Sequence, residues 1–215
     1  MADPPAVTER DAIRRAYDEL AGTYTEERSA EGAVAARLGR LADRLPEGAR
    51  VLDAGCGGGT PALAALAGDG EPRAVGLDFS GEQLRLAREA VHVADLVRGD
   101  MTALPFRDRS FDAVTALHSL IHVPLGEHAT VLAEFARVLV PGGLLLLTEG
   151  EEEWVGENPD WLETGVAMRW EIAGREATRD QLEGAGFEVL EEWDQRDELA
   201  DDDSSKPFFL ARLDR

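Results

Sequence analysis

Along the chain, short apolar runs alternate with stretches of helical periodicity. A strand covered on both faces reads as a continuous apolar run, whereas an amphipathic helix repeats every three to four residues. The alternation therefore predicts an α/β fold with a mainly parallel sheet. Residues 8–29 read as a helical segment interrupted near Gly22, and 31–44 as a second helix ended by Leu45-Pro46-Glu47-Gly48. Strands are predicted at 50–54, 73–78, 93–98, 111–117 and 144–148. Between them, Thr60 and Pro61 suit the N-cap and first position of a helix, and Ser80 suits the cap of a helix reaching about Ala90. A further helix at 127–139 ends before Pro141-Gly142-Gly143. Beyond Gly150 the pattern loosens. Residues 150–174 are acidic and carry Trp154, Trp161, Trp170 and Met168. A short helix at 178–184, a strand at 187–193, a polar connection at 201–205 and a last strand at 207–213 complete the reading.

The chain has 215 residues, 44% of them hydrophobic, which is enough for one well-buried domain. Lys+Arg is 22 and Asp+Glu is 43, a formal net charge of -21. That charge argues against unspecific binding to nucleic acid or anionic membrane. The acid excess, with Lys206 the only lysine, fits the solvated surface of a high-salt cytoplasmic protein. The single cysteine, Cys56, excludes an intramolecular disulfide and a cysteine-based zinc site. The first residues lack the apolar core of a signal peptide, and no apolar run approaches the roughly 18 residues of a bilayer span. The expectation is a soluble cytoplasmic protein, monomer or homodimer, without membrane insertion and without a bound metal. The acidic run 149–153 reads as a solvated face, and His92 and His128 as surface or loop residues.

The chemistry is concentrated in Val51-Leu52-Asp53-Ala54-Gly55-Cys56-Gly57-Gly58-Gly59-Thr60-Pro61. A strand enters a glycine-rich turn and then a helix, so Gly55 and Gly57 let a ligand approach the backbone, and free turn N–H groups give a positive local potential. A dinucleotide fingerprint places glycine where Thr60 stands. The pattern D-x-G-x-G-x-G is met in full by Asp53, Gly55, Gly57 and Gly59. An acid two residues before the first glycine repels pyrophosphate and attracts a cation, which favours S-adenosylmethionine (SAM) over NAD. Asp78 ends a strand 25 positions after Asp53, where its carboxylate can accept from both ribose hydroxyls, with Phe79 beside the adenine. Asp100 can accept from the adenine amine and Met101 can cover the ring. Structural alternatives exist for each: a glycine turn, a helix-entry Asp, an Asx turn.

In order and spacing these elements resemble the class I SAM-dependent methyltransferases, in the small-molecule, ubiquinone-biosynthesis-like branch. Phe111-Asp112-Ala113-Val114 and Arg137-Val138-Leu139-Val140-Pro141-Gly142-Gly143 extend the match. Ser119-Leu120-Ile121-His122-Val123-Pro124, Gly126-Glu127-His128, Gly59-Thr60-Pro61 and Met168-Arg169-Trp170 resemble a bacterial and archaeal subgroup. The resemblance implies a Rossmann-like seven-stranded sheet, order 3-2-1-4-5-7-6, with strand 7 antiparallel. It also implies one methyltransferase domain over 1–215: an N-terminal helical cap (1–45), a SAM-binding core (46–150), a substrate-cover insertion (151–175) and a C-terminal helix and strands (176–215). By position, Gly55, Cys56 and Gly57 line the methionine part with Asp53 beneath. Asp78 and Phe79 take the ribose and an adenine edge, and Asp100 and Met101 the adenine. Leu117 and His118 face the sulfonium, although the subgroup often carries an aromatic residue at or beside position 117. Tyr17, on a segment that closes over SAM, reaches the cofactor carboxylate or the acceptor.

Methyl transfer from a sulfonium leaves S-adenosyl-L-homocysteine (SAH) and needs alignment more than acid–base help. His118 and His122, at and after the fourth strand, are the candidate bases. Tyr24, Trp154, Met168 and Trp170 are candidate contacts for an apolar or planar acceptor, or offer π faces to the sulfonium. Simple packing accounts for the same residues. The leading reading is a methyltransferase acting on a small molecule. An RNA or protein methyltransferase, an NAD(P)-dependent oxidoreductase and a non-catalytic SAM-binding regulatory protein compete with it.

Overall fold

The computed structural model describes residues 6–27, 32–67, 73–196 and 205–214. Helices α1 (Ala6–Glu27) and α2 (Gly32–Ala42) precede the alternating core. The core runs β1 (Arg50–Ala54), α3 (Ala62–Ala67), β2 (Arg73–Asp78), α4 (Gly81–Ala90), β3 (Asp95–Arg98), β4 (Phe111–Ala116), α5 (His128–Val138) and β5 (Leu139–Thr148). A hairpin, β6 (Trp154–Asn158) and β7 (Met168–Ile172), follows. Helix α6 (Arg175–Gly184) and strands β8 (Phe187–Arg196) and β9 (Ser205–Leu213) close the chain.

Seven strands form one sheet in the order β3-β2-β1-β4-β5-β9-β8. Only β9 is antiparallel to its neighbours. The implied 3-2-1-4-5-7-6 order holds once the hairpin, which pairs only with itself, is set aside. Period-two alternation assigns each strand's residues to two apolar layers. Leu52, Val114, Leu145, Leu147 and Phe209 pack towards α5 and α6. Val51, Ala113, Leu144, Leu146 and Phe208 pack towards α2 and α3. Both faces are dry, which is why these strands read as unbroken apolar runs.

Several expected boundaries move. Helix α1 passes through Gly22 without a break. A solvent-facing glycine costs about 1 kcal/mol, and Leu20 and Ala21 beside it are almost wholly buried. Thr60 and Pro61 sit in the turn ahead of α3, which starts at Ala62. The third strand begins at Asp95, since Val93 is exposed. Helix α5 stops at Val138, and β5 starts at Leu139 with a register shift against β4 that spans Pro141-Gly142-Gly143. The loosely patterned 150–174 segment contains a regular hairpin. Residues 28–29 and 201–204 lie outside the described residues. Among the described residues no helix is long and apolar enough to cross a membrane.

Candidate functional site

The cleft opens at the carboxyl ends of β1, β2 and β4, where the connections from β1 and β4 diverge to opposite sides, the usual crevice of an open α/β sheet. It spans about 640 Å³, part of it open to solvent. A second cavity of about 350 Å³ adjoins it, sharing Tyr24, Gly55, Gly57, Leu117 and His118.

The glycine turn is held from within. Gly55 has φ +81°, and a Cβ there would lie 2.3 Å from Cβ of Ser119. Ser119 in turn donates from Oγ to the Ala54 carbonyl at 2.8 Å, pinning the loop after β4 onto the turn. The N–H groups of Gly55 and Cys56 donate to the Leu77 carbonyl at 2.7 and 3.0 Å, and that of Gly57 to Asp78 Oδ2 at 2.9 Å. These three amides are spent inside the fold and are not open to an anion. A pyrophosphate would have to compete with the Asp78 carboxylate.

Asp53 is buried beneath the turn and lines the second cavity. Its Oδ1 accepts from Thr115 Oγ1 at 2.7 Å, while Oδ2 has no hydrogen-bond partner. Burial, opposed by the Thr115 hydroxyl and the Leu63 N–H and reinforced by the Asp78 charge, pushes its pKa up to about 7. Asp78 accepts from Gly57 N through Oδ2 and from Ser80 N through Oδ1 at 2.8 Å. Burial lifts it to about 6 against those two amides. Two buried carboxylates with one oxygen unpaired need a donor, preferably a cation. The ammonium and ribose hydroxyls of SAM meet that need, so the residues present fit the cofactor. In the next loop, Asp100 Oδ1 accepts from Thr102 N and Oγ1, and Oδ2 from Arg10 Nη1 at 2.9 Å. Met101, Phe79 and Leu117 line the cleft.

Helix α1 forms the other wall. Tyr17 Oη lies 2.7 Å from His122 Nε2, and His122 Nδ1 lies 3.1 Å from the Arg169 carbonyl. A carbonyl only accepts, so Nδ1 carries the proton and Nε2 accepts from the tyrosine. This one chain of contacts ties α1, the loop after β4 and β7. Edge-to-face rings surround it: Tyr17 against Tyr24 at 5.3 Å and Trp161 at 6.1 Å, and Trp161 against Trp170 at 5.3 Å. His118 has φ +55°, a strained left-handed backbone held by its N–H donating to Thr148 Oγ1 at 2.6 Å.

Of the residues singled out from sequence, Tyr17, Tyr24, Gly55, Gly57, Asp78, Phe79, Asp100, Met101, Leu117, His118 and His122 line the cleft. Asp53 and Cys56 line the adjoining cavity. Trp154, Met168 and Trp170 lie outside both linings. Met168 is buried against Tyr17, Leu20 and Trp161, and Trp154 is half exposed over Trp170. His128, expected at the surface, is fully buried with Nε2 2.9 Å from the Val123 carbonyl. Glu149, expected in a solvated run, is also buried. Its Oε1 accepts from Ala173 N at 2.8 Å, and burial raises its pKa to about 8. Arg10, Gln83 and Ser119 were missed. Arg10 could have been found, because positions 10, 17 and 24 repeat at sevens along one face of α1.

Residues 52–147 match the family model described as a methyltransferase domain. A 27-O-demethylrifamycin SV methyltransferase of Amycolatopsis mediterranei is 38% identical over 152 residues, 64% of this chain and 55% of that one. A demethylmenaquinone methyltransferase of Bacillus licheniformis is 43% identical over 111 residues, 49% of this chain and 46% of that one. The chain thus spans about half the length of these curated relatives. In fold it is similar to a SAM-bound amino pentose methyltransferase from Micromonospora echinaspora, at 21% identity and TM-score 0.64, covering 90% of this chain and 95% of that one. Residues 52–147 thus carry a methyltransferase domain of the SAM-dependent kind.

Proposed function

We propose that the protein transfers the methyl group of SAM to a hydroxyl on a small, largely apolar acceptor. Buried Asp53, which lines the cavity beneath the glycine turn and keeps one oxygen unpaired, carries the cofactor half of this reading. Both curated relatives are named for small molecules, and the rifamycin name alone specifies an oxygen, which supports the hydroxyl.

Asp53 holds the ammonium group of the cofactor, and Gly55, Cys56 and Gly57 border its methionine part. Asp78 accepts from the ribose hydroxyls, whose donation draws its pKa back down. Asp100 accepts from the adenine amine, with Phe79 and Met101 flanking the ring and Leu117 and His118 towards the sulfonium. When bound, SAM supplies an electrophilic methyl group. The chain's part is to orient the acceptor and take its proton. Tyr17 Oη receives the acceptor's hydroxyl proton while passing its own to His122 Nε2. The resulting imidazolium keeps its Nδ1–H on the Arg169 carbonyl. Tyr24 and the rings of Trp161 and Trp170 exclude water around this relay, with Met168 behind them and Trp154 on the outer side.

Thermal unfolding with added SAM, SAH and NAD(H) tests the reading. SAM and SAH raise Tm and NAD(H) does not; a shift with NAD(H) alone reverses the assignment.

A further inference from the structure

Glu149 takes no part in the steps above, yet among the described residues no carboxyl group is more deeply buried. It follows directly on β5, at the neck where the β6–β7 hairpin leaves the sheet and returns to α6. Its Oε1 accepts at 2.8 Å from the N–H of Ala173, the residue after β7, while Oε2 has no hydrogen-bond partner. The two ends of the hairpin meet around this bond. The Arg175 N–H donates to the Glu151 carbonyl at 3.0 Å, and a Cβ added at Gly150 would lie 2.3 Å from Cγ2 of Ile172. The Glu149 N–H donates to the Pro207 carbonyl at 3.2 Å, which ties the neck to β9. Burying a carboxyl group with one oxygen unmet costs stability that an apolar side chain would not. The one bond its side chain makes closes the segment that walls the second half of the cleft.

We propose that Glu149 is a positioning residue: its carboxyl group clamps the neck of the β6–β7 hairpin and so holds the Arg169 carbonyl on His122 and the Trp161 ring on Tyr17. The role in methyl transfer rests on the Tyr17–His122 relay proposed above. The clamp works as a neutral acid. Burial, opposed by the Ala173 N–H and the Lys206 charge, raises the pKa of Glu149 to about 8. Lys206 on β9 is the charge that favours its ionisation. Across the neck, Arg175 of α6 is engaged by Glu151, Glu192 and Asp194, and Glu171 of β7 by Arg169 and the Leu125 N–H. After β4, His118 sends its N–H to Thr148. Loss of the Glu149 proton leaves a buried anion on one amide, and opening the neck to water relieves it.

Hydrogen exchange of the unliganded protein, followed by mass spectrometry from pH 6 to pH 8, reads the opening of residues 151–174 against β1 and β4. Opening returns Glu149 to its ordinary pKa of 4.5, so the closed neck binds more protons than the open one. Protection of the hairpin, corrected for intrinsic exchange, therefore falls as pH rises, by up to about tenfold per unit, and levels off beyond about 8. Glu149→Gln keeps a neutral acceptor and loses that dependence. Glu149→Ala removes the acceptor and lowers protection about tenfold below Glu149→Gln, the scale of one hydrogen bond. The His122 Nδ1 proton, followed by NMR, exchanges with water faster in Glu149→Ala by the same factor. Three results overturn the proposal: hairpin protection independent of pH in wild type, Glu149→Gln behaving as Glu149→Ala, or a His122 exchange rate alike in both variants. Should Glu149→Ala not fold, the pH dependence in wild type and its loss in Glu149→Gln decide alone. None of these measurements needs SAM. Absence of SAH uptake by folded protein overturns the methyltransferase reading and leaves the clamp in place.

Discussion

The two halves of the cleft are finished to different degrees. The half under the strand ends is polar and incomplete: Asp53 Oδ2 and both amide atoms of Gln83 lack partners in buried positions. The half between α1 and the hairpin is already complete. Tyr17, Tyr24, Trp161 and Trp170 pack edge to face, and the Tyr17–His122–Arg169 chain is closed at both joints. Unsatisfied buried groups announce a ligand whose chemistry they specify, whereas a self-satisfied aromatic cluster specifies none. The first half therefore names its occupant more sharply than the second. An acceptor entering the second half must displace rings that are now packed on one another.

The widest gap between the halves should appear when each loses its central group. Tyr17→Phe or His122→Ala lowers turnover by about 10²–10⁴-fold, the usual contribution of a positioned base, with SAH affinity changed only a few-fold in titration. Equal losses of affinity and turnover would merge the two halves into one. Next is Asp53→Asn, which keeps the shape and removes the charge. SAM affinity falls by roughly tenfold to a hundredfold, the value of a charge-assisted hydrogen bond, while Tm without ligand rises.

The same carboxylate predicts a pH dependence. The folded pKa of Asp53, about 7, lies above the ordinary 3.8, so the folded chain holds a proton that the unfolded chain has lost between those values. Its contribution to stability is present below about pH 4 and declines as pH rises through 7. Asp78 and Glu149 act in the same direction up to about 6 and 8. Unliganded Tm should fall from pH 6 to pH 8, and Asp53→Asn should flatten that decline. A profile rising over that range would contradict the burial of these groups.

Smaller effects belong to the rim. Arg10→Ala removes the guanidinium that ties α1 to Asp100 and to Glu127, at 2.9 and 3.3 Å, and SAH affinity falls only a few-fold because the pair is partly exposed. Trp154→Ala changes stability by less than about 0.5 kcal/mol, as for an exposed side chain outside the cleft. A large loss in either variant would show that the rim shapes the cleft.

The strand ends were legible because their chemistry is local. Asp53, the glycines and Asp78 lie within one β1–α3–β2 unit, and spacing along the chain fixes their meeting. The implied strand order also held, because right-handed crossovers leave few arrangements of such a pattern. The hairpin was not legible. Its strands carry an acidic, tryptophan-rich pattern with no clean alternation, and they pair only with each other. The Tyr17–His122 contact joins residues 105 apart, and nothing local specifies it. Gln83 was hidden for the opposite reason: on a helix a glutamine is ordinary, and only its burial without a partner marks it.

The proposal rests on Asp53, whose pKa burial raises to about 7, receiving the cationic group of SAM. Titration of SAM at pH 7 in two buffers of different ionisation enthalpy tests it directly. Binding accompanied by release of a fraction of a proton, abolished in Asp53→Asn, is the predicted result. Binding with no proton release, or no binding by folded protein, would contradict it.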